Sequence, residues 1–254
     1  PVATATFEGV TTVSDFTRTP LQAFTYKKNW DLSFTSFYWT APRNAESVTL
    51  LLSEDKGRTW KPVRTAILPD DDFAAASRLN PNQLYAFKLL VKGGDNQGES
   101  NIAWFYSGLQ DIKTAGVKGD GIADDTETIN QAIKEMNELG GGILRFTAGT
   151  YNVRTVHLLS NVWLHLDADA TIQGLPGGDA PETTWFSDRA YRSGLSPTDP
   201  RPYADPENYL TKQDVGHTFF RNAMFFGERI DNVKIVGTGR ITGNGNLVTS
   251  DKVM

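Results

Sequence analysis

The hydrophobic and polar positions of this chain follow two different patterns, which meet near residue 108. Before that point apolar residues tend to alternate with polar ones, the period of a half-buried β-strand. Strands are expected over Asp31–Trp39, Ser47–Ser53, Leu84–Val91 and Ser100–Tyr106, with earlier ones over Phe7–Val13 and Leu21–Tyr26. Asp55-Lys-Gly57 marks a hairpin, and Trp60–Ile67 is the expected partner of the strand before it. Past residue 110 a different period appears. Ile129, Ala132, Ile133, Met136 and Leu139 share one face of a helix, with Gln131, Lys134, Glu135 and Glu138 on the other. Asp124, Asp125 and Thr126 supply N-cap oxygens, Glu127 suits the positive end of the helix dipole, and Gly140–Gly142 end the helix.

Very short strands come next: Gly142–Phe146, Gly149–Val153, a segment with Val156, Leu158 and Leu159, then Val162, Leu164 and Leu166 alternating with Trp163, His165 and Asp167, then Thr171-Ile172. Single turns at Gly or Asn separate them. That texture suits a solenoid better than a sandwich. The apolar stripe of the helix needs an apolar surface to cover, and the open end of a solenoid is an unpaired edge that needs protection. The expected fold is therefore all-β: a β-sandwich over residues 1–108, then the helix-capped start of a right-handed parallel β-helix over 109–254.

Residues 175–216 break this pattern. They carry six prolines and little periodicity, yet they also hold Trp185, Phe186, Tyr191, Tyr203 and Tyr209, too many aromatics for a disordered tract. Aromatic faces stack on sugar rings and guanidinium groups pair with carboxylates. Arg189, Tyr191, Arg192 and Arg201 are accordingly candidate substrate-binding residues, joined by His217 and Arg221 where the coil resumes. Two readings stand side by side for this insertion: a wall of a sugar-binding cleft, or a segment packed over the side of the coil or on the first domain. His217 has the same alternatives, a ligand contact or a satisfied structural histidine.

Composition narrows the function. Hydrophobic residues make up 39% and charged residues 22%, the balance of a soluble globular protein of two ordinary domains. A net charge of -5 argues against nucleic acid as a partner. No apolar run approaches a membrane span. Cysteine is absent, which excludes disulfides and thiolate zinc sites, and no Asn-x-Ser/Thr sequon occurs. No cofactor is implied. The acidic run Asp70–Asp72 lacks the spacing of a calcium loop and reads as a solvated turn, so no metal site is expected.

Three motifs carry family resemblances. Ser53-Glu-Asp-Lys-Gly-Arg-Thr-Trp60 resembles the Asp-box hairpin of sialidases and other β-proteins. It reads either as a carbohydrate contact or as a turn held by its own aspartate, and the second reading is physically sufficient. Leu79-Asn-Pro-Asn-Gln-Leu-Tyr-Ala-Phe87 resembles the turn and tyrosine strand of a fibronectin type III domain, a module that usually acts as a spacer. The run Lys118–Thr126, the helix and Gly140–Ile143 resemble the N-terminal signature of pectate-lyase-like β-helices. Asn161–Gly174 and Ile230–Gly245 resemble coils of the polygalacturonases, glycoside hydrolase family 28.

That last resemblance implies inverting hydrolysis of galacturonosyl links, with two carboxyl groups about 6.5–9.5 Å apart. The family's Asn-Thr-Asp, Gly-His-Gly and Arg-Ile-Lys motifs are absent here, and the Asp-Asp pairs at 70–72 and 124–125 are explained by a loop and by helix capping. No catalytic residue is therefore assigned within this chain. The expectation is the N-terminal portion of a secreted or periplasmic pectin-type hydrolase, exo-acting because the insertion blocks one end of the cleft. Its partners would be an acidic plant polysaccharide and, over the open edge of the β-helix, the rest of the same enzyme. The alternatives are a non-catalytic carbohydrate-binding or scaffold fragment, or a polysaccharide lyase or depolymerase.

Overall fold

A computed structural model describes residues 12–20, 32–175, 224–227 and 229–244. Among the described residues the architecture is mostly strands, with one α-helix and parallel as well as antiparallel sheets. The chain divides into two compact units: Pro1–Leu109 with Leu139–Gly142, and Gln110–Glu138 with Ile143–Met254.

The first unit holds β1 (Thr17–Arg18), β2 (Thr35–Tyr38), β3 (Ser47–Ser53), β4 (Lys61–Pro62), β5 (Phe73–Ala76), β6 (Leu84–Lys92), β7 (Gly98–Glu99) and β8 (Ala103–Tyr106). Strands β1-β2-β5 form one antiparallel sheet. A second antiparallel sheet runs β4-β3-β6, with β7 and β8 both pairing with β6. The alternation of the sequence decides which side chains meet between them. Phe37 of β2 and Phe87 of β6 are both fully buried, with ring centroids 4.6 Å apart, and Phe16 stacks on Phe37 at 5.0 Å. Arg18 is buried in this unit. Its Nε donates to the Trp104 carbonyl at 2.9 Å and its Nη2 to the Gly140 and Gly141 carbonyls, and burial lowers its pKa to about 10.

Two expectations need correction here. The partner strand foreseen over Trp60–Ile67 shrinks to Lys61–Pro62: one further bond runs from Val63 N to the Leu50 carbonyl at 2.8 Å, and the Thr65 amide then turns back onto the Val63 carbonyl at 2.8 Å. Strand β5 was not foreseen, because Phe-Ala-Ala-Ala carries almost no alternation by residue type. The early segments Phe7–Val13 and Leu21–Tyr26 lie wholly or mostly outside the described residues.

The second unit starts with β9 (Leu109–Asp111) and a 3₁₀ turn at Ile112–Ala115, then β10 (Asp120–Asp124) and α1 (Thr126–Glu138). Short strands follow: β11 (Gly142–Phe146), β12 (Gly149–Val153), β13 (Val156–His157), β14 (Val162–Leu166), β15 (Ala170–Gly174), β16 (Phe225–Phe226), β17 (Lys234–Gly237) and β18 (Arg240–Thr242). They stack coil on coil. Gly149 of β12 lies beside Ala170 of β15, and Thr171 lies beside Arg240 of β18, all in parallel. Trp163 of β14 pairs with Lys234 of β17, and Val156 with Phe225, again in parallel. The sheets run β10-β12-β15-β18, β9-β11-β14-β17 and β13-β16. The next strand described after β15 is β16, some 50 residues later in sequence, and it pairs in parallel with β13 of the preceding coil.

The period-two residues point inward. Leu144, Phe146, Tyr151, Val153, Val162, Leu164, Leu166 and Ile172 share one core with Ile129, Ala132, Ile133 and Met136 of α1. The apolar stripe of the helix is therefore covered by the coil interior. Strand β10 replaces what reads in sequence as a loop. Its glycine and aspartates disguise it, but Asp120 pairs with Thr150 and Asp124 with Asn152.

Candidate functional site

The parallel coil sets its outward side chains in rows one strand apart, about 4.8 Å. On the β10-β12-β15-β18 sheet two such rows form. Tyr151 and Ile172 point inward, so Asp120, Thr150, Thr171 and Arg240 make one outward row, and Asp124, Asn152, Gln173 and Thr242 the next. The Gln173 side-chain amide donates to Asn152 Oδ1 at 3.2 Å. Asn152 is buried under this contact, so the face offers hydroxyls, the Gln173 amide and one guanidinium, groups that exchange hydrogen bonds with a polyhydroxylated ligand.

Its carboxylates are engaged by the fold. Asp120 Oδ1 accepts from the amides of Ile122 at 2.9 Å and Ala123 at 2.8 Å, which holds its pKa below the usual carboxylate range. Asp124 Oδ1 accepts from the Thr126 amide and hydroxyl, and its Oδ2 lies 3.4 Å from Arg154 Nε. Asp125, expected as a helix cap, does something else. Its carbonyl accepts the first helical bond, from Ile129 at 2.9 Å, while its buried carboxylate turns away to the amides of Lys118 and Gly119.

A second polar group lies on β11 and β14. The Arg145 guanidinium holds Asp167 through two bonds of 2.9 Å, and this partner raises the arginine's pKa. His165 Nδ1 sits 3.3 Å from the same carboxylate. Arg145 and Asp167 lie on successive coils, so the pair ties one coil to the next. Asp111 caps the 3₁₀ turn, accepting from Lys113 N at 2.9 Å. Among the described residues no group of three or more His, Asp or Glu is placed to hold a metal ion.

The candidates Arg189, Tyr191, Arg192, Arg201, His217 and Arg221 lie outside the described residues. The nearest described neighbours of the insertion are Leu175, whose amide donates to the Val153 carbonyl at 2.8 Å, and Met224, whose carbonyl accepts from Val156 at 2.8 Å. Leu175 and Met224 thus both bond to the β12–β13 stretch of the preceding coil. Sequence reasoning missed the rows on the outward face, because rows are visible only once the register between distant strands is known.

The Asp-box hairpin forms as its residues suggest. Asp55 Oδ1 accepts from Thr59 N at 2.9 Å and Arg58 N at 3.0 Å, Oδ2 accepts from the Thr59 hydroxyl at 2.6 Å, and Trp60 Nε1 donates to the Gly57 carbonyl at 3.0 Å. Lys88 Nζ lies 4.2 Å from the centroid of the Trp60 ring. The hydrogen-bonding capacity of this aspartate is used within its own turn.

No family model matches the chain, and no curated protein matches it. Among solved structures the chain is similar to a "putative glycosyl hydrolase" from Parabacteroides merdae ATCC 43184, at 23% identity and TM-score 0.34, over 52% of this chain and 42% of that one. It is similar to the family 28 exopolygalacturonase of Yersinia enterocolitica at 18% identity and TM-score 0.32, over 95% of this chain and 43% of that one. It is also similar to the protein FN3tt mut at 19% identity and TM-score 0.28, over 39% of this chain and 96% of that one. All three likenesses are weak, and the chain spans less than half the length of the first two proteins.

Proposed function

We propose that this chain belongs to a pectin-type glycoside hydrolase that cleaves galacturonosyl links with inversion, and that it supplies the first coils of a right-handed parallel β-helix with α1 as its cap. One observation carries the reading. The two sequence blocks that resemble polygalacturonase coils, Asn161–Gly174 and Ile230–Gly245, hold β14-β15 and β17-β18, which are parallel neighbours. Two motifs about 70 residues apart in sequence thus lie side by side in one solenoid, an arrangement unrelated motifs have no reason to adopt.

The exposure of the last described strands supports the same reading. Ile235 and Ile241 lie beside Leu164 and Ile172 in the register, yet they are 38% and 46% exposed where their partners are fully buried. Apolar side chains in that position call for a further layer. Later coils of the same enzyme would cover them and bring the catalytic carboxylates, with the inserted segment closing one end of the cleft for exo cleavage. The first unit is read as a fibronectin type III-like spacer, supported by the Tyr85 hydroxyl, which accepts from the Asn80 amide at 2.8 Å as in a tyrosine corner. An acidic polysaccharide outside the cytoplasm is the proposed substrate.

The test is to express the uninterrupted gene and incubate the product with polygalacturonate, following reducing ends and the anomer first released by NMR. Monogalacturonate released with inverted configuration is expected. Absence of any release, or an unsaturated product, overturns the hydrolase reading.

A further inference from the structure

The β1-β2-β5 sheet of the first unit carries exposed aromatics on its outward face, and no role described so far uses them. Thr17, Tyr38 and Phe73 face one another directly across the three strands. Tyr38 is 47% exposed and Phe73 53%. Phe34, four residues before Tyr38 on the same side, is 50% exposed. Between these rings lie the small side chains of Ser36 and Ala75, themselves cross-strand partners, with Thr19 beside Ser36. The inward neighbours Thr35, Phe37, Ala74 and Ala76 are buried, so the sheet is firmly backed.

We propose that this face binds a neutral glycan chain, independently of any hydrolytic site on the coil. A strand rises about 3.3 Å per residue, so Phe34 stands about 13 Å from Tyr38, with a shallow floor of small side chains between. That spacing suits a ligand running along β2 and touching one ring after another. The negative face of an aromatic ring attracts the weakly positive C–H bonds of a pyranose, and rigid rings lose little conformational freedom on binding. Hydroxyls lie alongside: Ser36 Oγ donates to Thr19 Oγ1 at 2.9 Å, and Thr17 stands opposite Tyr38.

Size and charge select the occupant. Three half-exposed rings offer apolar area on the order of 300 Å², using the usual span of a buried aromatic. A stable protein partner needs about 800 Å² on each side. The outward positions of the three strands carry no charge. Asp70, Asp71 and Asp72 precede Phe73, against Arg78 beyond the other end of β5 and Arg64 beside Thr65, whose hydroxyl donates to the Ala75 carbonyl at 2.9 Å. This surroundings is net acidic and disfavours a polyuronate.

The experiment is affinity electrophoresis of the whole chain through gels containing galactan, xyloglucan or polygalacturonate. Neutral glycan should retard the native protein, and Tyr38→Ala with Phe73→Ala should weaken retardation at least tenfold. Phe73→Trp should retain it, and an unchanged melting temperature keeps the comparison valid for exposed positions. Absence of retardation by both neutral glycans, or retardation by polygalacturonate alone, overturns the proposal. So does a concentration-dependent dimer in sedimentation that the double variant abolishes. Loss of hydrolysis on the coil leaves this result untouched, so the two readings fail separately.

Discussion

The Asp125 carboxylate closes on the backbone amide of Gly119, with Oδ2 accepting at 3.0 Å, while Oδ1 accepts from Lys118 N at 2.8 Å. One buried side chain thus fixes the loop entering β10 to the first residue of the helix turn. A hydrogen bond to a charged acceptor contributes about 1.5–3 kcal/mol, and a buried amide left without its partner costs a comparable amount. Asp125→Ala is expected to destabilise the chain by about 3 kcal/mol. Asp125→Asn, which keeps one acceptor oxygen, should cost about half as much. Urea unfolding followed by tryptophan fluorescence reads both, and equal midpoints for wild type and Asp125→Ala would refute the role.

Gly119 itself tolerates nothing larger. Its φ is +59°, and a Cβ there would lie 2.6 Å from Cε1 of Tyr151. That ring is fully buried and its hydroxyl donates to the Thr147 carbonyl at 2.8 Å, so it has no room to retreat. Left-handed backbone costs a residue with a Cβ about 1–2 kcal/mol, and overpacking a core adds about 1–3. Gly119→Ala is expected to lose about 2–4 kcal/mol. Thermal unfolding reads this loss, and Gly121→Ala, where the nearest atom would be 3.4 Å away, should show a smaller one.

The turns before β14 and β17 each use an asparagine in left-handed conformation, Asn161 at φ 64° and Asn232 at φ 54°. They stack, with Asn232 Nδ2 donating to Asn161 Oδ1 at 3.0 Å. Asparagine is the non-glycine residue that best accepts this backbone. Asn161→Ala should cost about 1–2 kcal/mol, and Asn161→Gly markedly less, because glycine keeps the backbone and loses only the amide stack. Equal losses for the two variants would show that the side-chain bond, not the backbone, governs the turn.

Asp55 gives a pH prediction. Hydrogen bonds from Thr59, Ser53 and Arg58 hold its pKa well below the ordinary carboxylate value. A carboxylate with a depressed folded pKa stabilises the fold fully above its unfolded pKa, about 3.9. That contribution is lost as pH falls below this value and through the folded one. Stability of the native chain should therefore fall between about pH 5 and pH 2, and Asp55→Asn should fall less over the same window. Parallel curves for the two proteins would exclude Asp55 as a contributor.

Much of the second unit was legible in the chain. Gly142–Phe146, Gly149–Val153 and Val162–Leu166 appear as strands with the expected bounds, because period-two apolar residues have only one way to reach a core. The helical stripe of α1 did the same through its own period, with Ile129, Ala132, Ile133 and Met136 buried. Likewise the Asp-box contacts are local, spanning no more than a few residues, so their chemistry can be read from the chain.

What the sequence could not decide rests on partners far along the chain. Strand β10 looks like a loop until Thr150 and Asn152 pair with it, since glycine and aspartate have little strand propensity of their own. Asp125 looks like a helix cap until the fold brings the Lys118 and Gly119 amides within reach. The aromatic row of Tyr38 and Phe73 exists only because an unforeseen strand, β5, is set in register against β2. Local sequence fixes which residues prefer a strand or a helix. Only tertiary register, a long-range property, fixes which outward side chains stand together.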